Sequence, residues 1–413
     1  MIDMTAINFK NLALGTLLLG ALSATQAANE GSEQQSGVRL KIDFIDAAYA
    51  KGLGGIAVVG AHGMVGTLKP EGDGWRLHAL SNDVDDDFTT LGLYGDSQVL
   101  VGGSTGKLYS YDGSAITEIT KLSEYDEPVL DISCVEGNCW AVGARGIVTK
   151  SSDGKTWEEV EIRDVTQPMM TFASSEVADW YFGVSNLDLD SLKFTGNVGG
   201  QPAVEDEHFI MYPDEGFVQF AVDFDPSPAP TVEFIFNPGP PFRVGDVSWN
   251  TVLYDGTTVT LAGEFGMVLQ STDGGESWIR RDGGVVKGEP TPAYWITGKQ
   301  EGERMTLAGA AGVSALSTDG GKTWARQPRP GNEGIFGIDF LPNGQPIIAG
   351  AVGLIGTFDN GEWKLADRTA LRLLSWLKNP VMLDDGTFLM LGGRSTAIAF
   401  KDGEWTRVPV LRD

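Results

Sequence analysis

The sequence predicts an all-β chain closed into a β-propeller of four-stranded blades, and three observations predict it. A Gly-x-x-Gly turn follows a short apolar strand repeatedly, most often at intervals of 40 to 46 residues. A second turn, carrying Ser-x-Asp-Gly-Gly-x-x-Trp or a worn copy of it, comes about ten residues after each of these. The strands between the turns are four to eight residues long and rich in β-branched residues, and no sustained 3.6-residue periodicity competes with them. Four-stranded units at this period are the signature of a propeller.

The first turn reads VVGAHG at Gly60, VGGSTG at Gly103, AVGARG at Gly143, LAGEFG at Gly263, LAGAAG at Gly309 and IAGAVG at Gly350. A degenerate copy, LGGRST, aligns on Gly393. The interval from Gly143 to Gly263 is three periods long, and within it YFGVSN places Gly183 in register. The expected count is therefore eight blades, with an insertion at about 199–241. Seven blades follow instead if the fourth unit belongs to one long insertion. The insertion holds HFIMY, FVQFAV and TVEFIF between Pro- and Asp-rich turns. These strands are expected to cover a blade or channel mouth, or to present an edge to another protein.

The second turn is STDGGESW from Ser271 to Trp278 and STDGGKTW from Ser317 to Trp324. SSDGKTW, from Ser151 to Trp157, is one residue shorter. Folding accounts for every part of it. Asp153, Asp273 and Asp319 can accept hydrogen bonds from backbone N–H groups of their own turns, and Ser271 and Ser317 add another local bond. Gly275 and Gly321 allow the positive φ of a tight hairpin. Trp157, Trp278 and Trp324 open the outer strand and can wedge between blades.

Composition narrows the function. The chain has 413 residues and a formal charge of −26, which argues against nucleic acid and anionic membrane surfaces as partners. Three histidines and two cysteines argue against a histidine- or cysteine-built metal centre. The acidic loop Asp83 to Asp87 lacks the spacing of an EF-hand, and reads as solvated. No metal and no cofactor are expected. Lys10, the apolar run Leu12 to Leu22 and the small residues of ATQAAN read as a secretory signal cleaved after Ala27. Residues 1–27 are then a signal peptide and residues 28–413 a periplasmic propeller without direct membrane insertion. In that compartment Cys134 and Cys139, flanking the turn VEGN, are expected to form a disulfide across a hairpin, with two unpaired thiols as the alternative.

On these turns the chain resembles the BNR, or Asp-box, repeat propellers, a motif that also recurs in sialidases. Within that group it most resembles the photosystem II stability/assembly factor family and its bacterial homologues, over essentially all of the mature chain. The resemblance implies a noncatalytic protein-binding propeller with an arginine-lined face. It also implies a partner in the cell envelope, with an RND-type membrane transporter as the leading candidate. A sialidase-like glycoside hydrolase or glycan-binding lectin is the alternative. Resemblance to sialidases would require an Arg-Ile-Pro near the start, and the first blade, VRLKIDFIDAAYAKG, offers Arg39 without it. No Gly-x-Ser-x-Gly elbow, His-Glu-x-x-His or P-loop occurs. The chain is therefore not expected to be an enzyme.

In a four-stranded meander the Gly-x-x-Gly turns join strands 2 and 3, and the Ser-x-Asp turns join strands 3 and 4, on opposite faces. The variable positions of the first set are His62, Thr105, Arg145, Ser185, Phe265, Ala311, Val352, Arg394 and Ser395. Similar turns carrying different side chains suit a recognition surface, although turns also tolerate variation freely. The connections between blades reach the same face. They are expected to gather Arg280, Arg281, Arg326, Arg329, Lys364, Arg368 and Arg372 into a basic sector that docks an acidic partner, against the alternative of ordinary solvated charge.

Overall fold

The computed structural model describes residues 42–162, 247–281 and 292–412, with short pieces between 163 and 246. Seven antiparallel four-stranded sheets form the blades, spanning residues 46–79, 88–121, 129–159, 249–280, 295–326, 335–365 and 377–407. Their inner strands are Asp46–Ala50, Phe88–Tyr94, Val129–Val135, Trp249–Tyr254, Trp295–Glu301, Ile335–Phe340 and Leu377–Met382. Each packs against the next, and the last packs against the first, so the ring is closed.

The count is seven rather than the expected eight. The inner strand of blade 3 meets that of blade 4 directly, because Asp131 accepts hydrogen bonds from the Thr251 hydroxyl at 2.8 Å and the Val252 N–H at 2.9 Å. No place is left for a blade between them. Strand Trp180–Tyr181, which the fourth unit would contain, pairs with Phe217–Phe220, and Met169–Met170 and Lys193–Thr195 pair with Thr231–Glu233. The inserted segment therefore runs from the end of blade 3 to the start of blade 4, well beyond 199–241. Gly183, Ser185 and the N-terminal signal lie outside the described residues.

Each blade follows from its residue pattern. The second strand is sandwiched between neighbouring blades, so Gly55–Val59, Val259–Gly263, Pro346–Gly350 and Phe388–Gly392 are buried on both sides and read as continuous apolar runs. A large apolar residue heads the inner strand of blades 2, 4, 5 and 7, where Phe88, Trp249, Trp295 and Leu377 are all buried. Outside blade 2, where Gly103 lies against the Asp86 carboxylate, the first glycine of each Gly-x-x-Gly turn lies against a backbone carbonyl preceding its own inner strand. A Cβ on Gly263 would come within 2.1 Å of the Ser248 oxygen, and one on Gly309 within 1.9 Å of the Tyr294 oxygen. That contact also corrects one register. In blade 7 the glycine opposite Leu377 is Gly392, not Gly393.

The Ser-x-Asp turns hold themselves by local hydrogen bonds. Asp319 accepts from the Ser317 hydroxyl at 2.7 Å and from the N–H and hydroxyl of Thr323 at 2.9 and 2.6 Å, while Ser317 Oγ accepts the Gly321 N–H at 2.9 Å. Asp273 and Ser271 repeat the pattern with Gly275 and Ser277. In the shorter turn Asp153 accepts from Ser151, Lys155 and Thr156. The tryptophans then reach the seams: buried Trp278 lies edge-on to Trp140 of blade 3 with ring centroids 6.0 Å apart. Trp324 joins the cluster of Leu253, Ala262 and Leu307 between blades 4 and 5, and Trp157 packs on the cluster between blades 2 and 3. Cys134 and Cys139 sit opposite one another across the first hairpin of blade 3 and form a disulfide.

The ring is sealed at two radii. At the inner edge Asp46 receives the Thr90 hydroxyl and Leu91 N–H of blade 2 at 3.1 and 3.0 Å, and the Asn379 amide of blade 7. At the outer edge the terminal strand Val410–Arg412 adds in parallel to blade 1, with Trp75 donating its N–H to the Pro409 carbonyl at 2.9 Å. Removing residues 409–413 deletes the buried Val410 and exposes one strand edge of blade 1. Thermal unfolding should then shift down by about 3–6 °C, the size of losing one buried valine, and an unchanged melting temperature would contradict the seal.

Asp131 gives the inner belt a pH dependence. Burial pushes its carboxyl up to about 6, against the hydrogen bonds from Val252 and Thr251 that pull it down. A raised carboxyl binds its proton more tightly in the folded than in the unfolded chain. Its contribution to stability is thus greatest below the unfolded value of 3.8 and is lost as pH rises toward about 6. In urea titrations the stability of wild type relative to Asp131→Asn should fall across that interval and level off above it. A difference independent of pH would contradict the assignment.

Candidate partner-binding face

The Gly-x-x-Gly turns are two-residue hairpin turns with both central residues left-handed. In blade 3, Arg145 (φ 52°, ψ 37°) and Gly146 (φ 86°) form the corner, closed by the Ile147 N–H on the Ala144 carbonyl at 3.3 Å. The same geometry places His62, Phe265, Ala311, Val352 and Arg394 at φ between 53° and 58°. In blade 2 Thr105 departs from it, keeping a negative-φ backbone while its hydroxyl donates to the buried Asp86 at 2.8 Å. Such turns favour asparagine, aspartate or glycine at the first central position. Here that position holds histidine, arginine, phenylalanine, alanine or valine, and these side chains are exposed. Val352 is the extreme case: a β-branched residue held left-handed, at a cost of about 1–3 kcal/mol, with the residue 62% exposed.

Carboxylates from the lead-in segments fix several of these corners. Asp87 accepts the His62 N–H at 2.8 Å and Asp43 accepts the Arg394 N–H at 2.7 Å, so neighbouring blades hold one another's turns. In blade 7 Ser395 replaces the second glycine at φ 54°, and both its N–H and its hydroxyl are bonded to the backbone of Ile42. The substitution that made this copy look degenerate is a closure contact.

The blade connections on this face divide by charge. Those around blades 1 to 3 carry Asp83, Asp85, Asp87, Glu124 and Asp126, whereas those around blades 5 to 7 are mixed, with Arg329, Arg368 and Arg372 alongside Glu333 and Asp367, beside Arg394 in its turn. The basic sector is thus smaller than its sequence suggests. Arg280 and Arg326 lie in outer strands opposite Leu269 and Ala315. Arg281 is half-buried, with its Nε unbonded among the described residues. Lys364 lies in the outer strand of blade 6, paired with Asp359. Arg368 bonds Glu333 at 2.8 Å, and Arg145 lies 3.5 Å from Glu127. Sequence reasoning named Phe265 and Val352 in the turns but missed the apolar residues of the connections. Tyr125 and Leu374, 81% and 86% exposed, are the most exposed large apolar residues among those described, and both stand in blade connections here. No periodic signal marks them, because they lie between repeats.

The opposite face offers different chemistry. Hydrogen bonds from the Thr323 hydroxyl and N–H hold the Asp319 carboxyl down at about 2, and those from Thr156 and Lys155 do the same for Asp153. A carboxylate so held keeps no proton to donate near neutral pH. Among the described residues no group of three or more His, Cys, Asp or Glu side chains is placed to hold a metal ion.

No family model matches the chain, and no curated protein matches it significantly. Solved structures do resemble it. "YCF48 bound to D1 peptide" superposes with a TM-score of 0.54 at 11% identity, covering 88% of this chain and 93% of that one. The "WD40 beta propeller domain of Doa1" gives the same TM-score and identity over 89% and 95%. At such identity the likeness establishes the fold, a β-propeller.

Proposed function

We propose that this chain is a noncatalytic propeller that binds a protein partner through the face bearing the Gly-x-x-Gly turns. One observation carries the reading. At the corner where local stability favours asparagine or glycine, six blades hold other side chains in a left-handed backbone and expose five distinct chemistries to solvent. Exposed Tyr125, Leu374 and Val352 supply the apolar contacts that dominate protein interfaces, and the divided charge supplies orientation. The peptide held by YCF48, a propeller of similar fold, supports a partner of this class. The signal-like N-terminus supports looking for that partner in the periplasm, with an RND-type exporter complex as the first to test.

The test is co-purification from the native envelope. Leu374→Ala combined with Arg372→Glu and Arg394→Glu should reduce the captured membrane partner at least tenfold, with circular dichroism and melting temperature unchanged. Undiminished capture would refute the reading.

A further inference from the structure

The channel at the centre of the ring carries two charges that no opposite charge meets at hydrogen-bond distance among the described residues. Its cavity is about 410 Å3 and is lined by all seven inner strands. Asp46 is consumed by the ring: its two oxygens accept the Ala47 and Leu91 N–H groups, the Thr90 hydroxyl and the Asn379 amide. Lys299 and Asp339 satisfy one another at 2.9 Å. Lys378 and Asp131 remain. The Lys378 ammonium makes no hydrogen bond among the described residues. Asp46 is its nearest carboxylate at 4.0 Å, although the lysine side chain is only 24% exposed. Asp131 accepts from the Ile132 N–H at 2.9 Å and from Thr251 and Val252, all neutral donors, and has no cationic side chain within 4.0 Å among the described residues. Both stand near the start of their inner strands, so they line the channel just inside the mouth that opens on the variable face.

We propose that this mouth binds a small zwitterion, a free amino acid or dipeptide, with its carboxylate on Lys378 and its ammonium on Asp131. A simple anion would leave Asp131 uncompensated and repelling it, and a simple cation would meet Lys378. A ligand bearing both charges answers both groups at once. The volume lies in the range of small-ligand sites. Zwitterion binding at this mouth does not depend on partner binding, so its failure would leave the protein-binding reading untouched.

Isothermal titration of the full chain with Ala-Ala, N-acetyl-Ala-Ala and Ala-Ala amide tests the proposal. Ala-Ala should bind with a Kd in the millimolar range or tighter, and each capped form at least tenfold more weakly. Lys378→Met should abolish discrimination against the amide but keep discrimination against the acetylated form, and Asp131→Asn should do the reverse. The comparison of the three peptides on wild type needs no variant to fold. No heat with about 10 mM Ala-Ala, or equal affinity for all three peptides, would overturn the proposal.

Discussion

A ring of seven wedges stands only if each wedge grips the next at its inner edge, and here carboxylates do much of the gripping. Asp46 reaches into blade 2 and receives blade 7, and Asp131 reaches from blade 3 into blade 4. These bonds join three of the seven seams and fix which blades are neighbours there. They also set the width of the channel and the height at which its charges sit. The tryptophan wedges and apolar seams supply burial, which is not directional. The directional part is the belt.

Given that belt, the two faces divide their tasks. On one, each Ser-x-Asp turn closes on itself, its aspartate occupied by its own loop and its tryptophan sunk in a seam. On the other, the backbone does the closing. The first glycine fits against an oxygen ahead of the inner strand, the second takes the positive φ, and the residue just before the second is left to vary. A corner whose conformation is imposed by its surroundings can carry a side chain that the corner alone would reject. Val352 shows that freedom most clearly.

Much of this was legible in the sequence because it repeats. The strand order, the placement of both turns on opposite faces and the hairpin joining Cys134 to Cys139 all follow from short-range spacing. The eighth blade was expected from the spacing of a single glycine, Gly183. The strands described near it pair with residues far along the inserted segment instead. The basic sector was overcounted because sequence cannot tell an outer-strand arginine such as Arg280 from a loop arginine such as Arg372. The channel was invisible. Asp46, Asp131 and Lys378 belong to no motif, and more than 80 residues separate any two of them.

The central claim is that the Gly-x-x-Gly face, and not the Ser-x-Asp face, meets the partner. Site-specific photo-crosslinking in the native envelope tests it most directly, with a photoreactive residue placed at 352 or 374 on one face and at 274 or 320 on the other. The account predicts a common crosslinked protein from positions 352 and 374 and none from 274 or 320. Crosslinks confined to the latter pair, or equal from both faces, would contradict it.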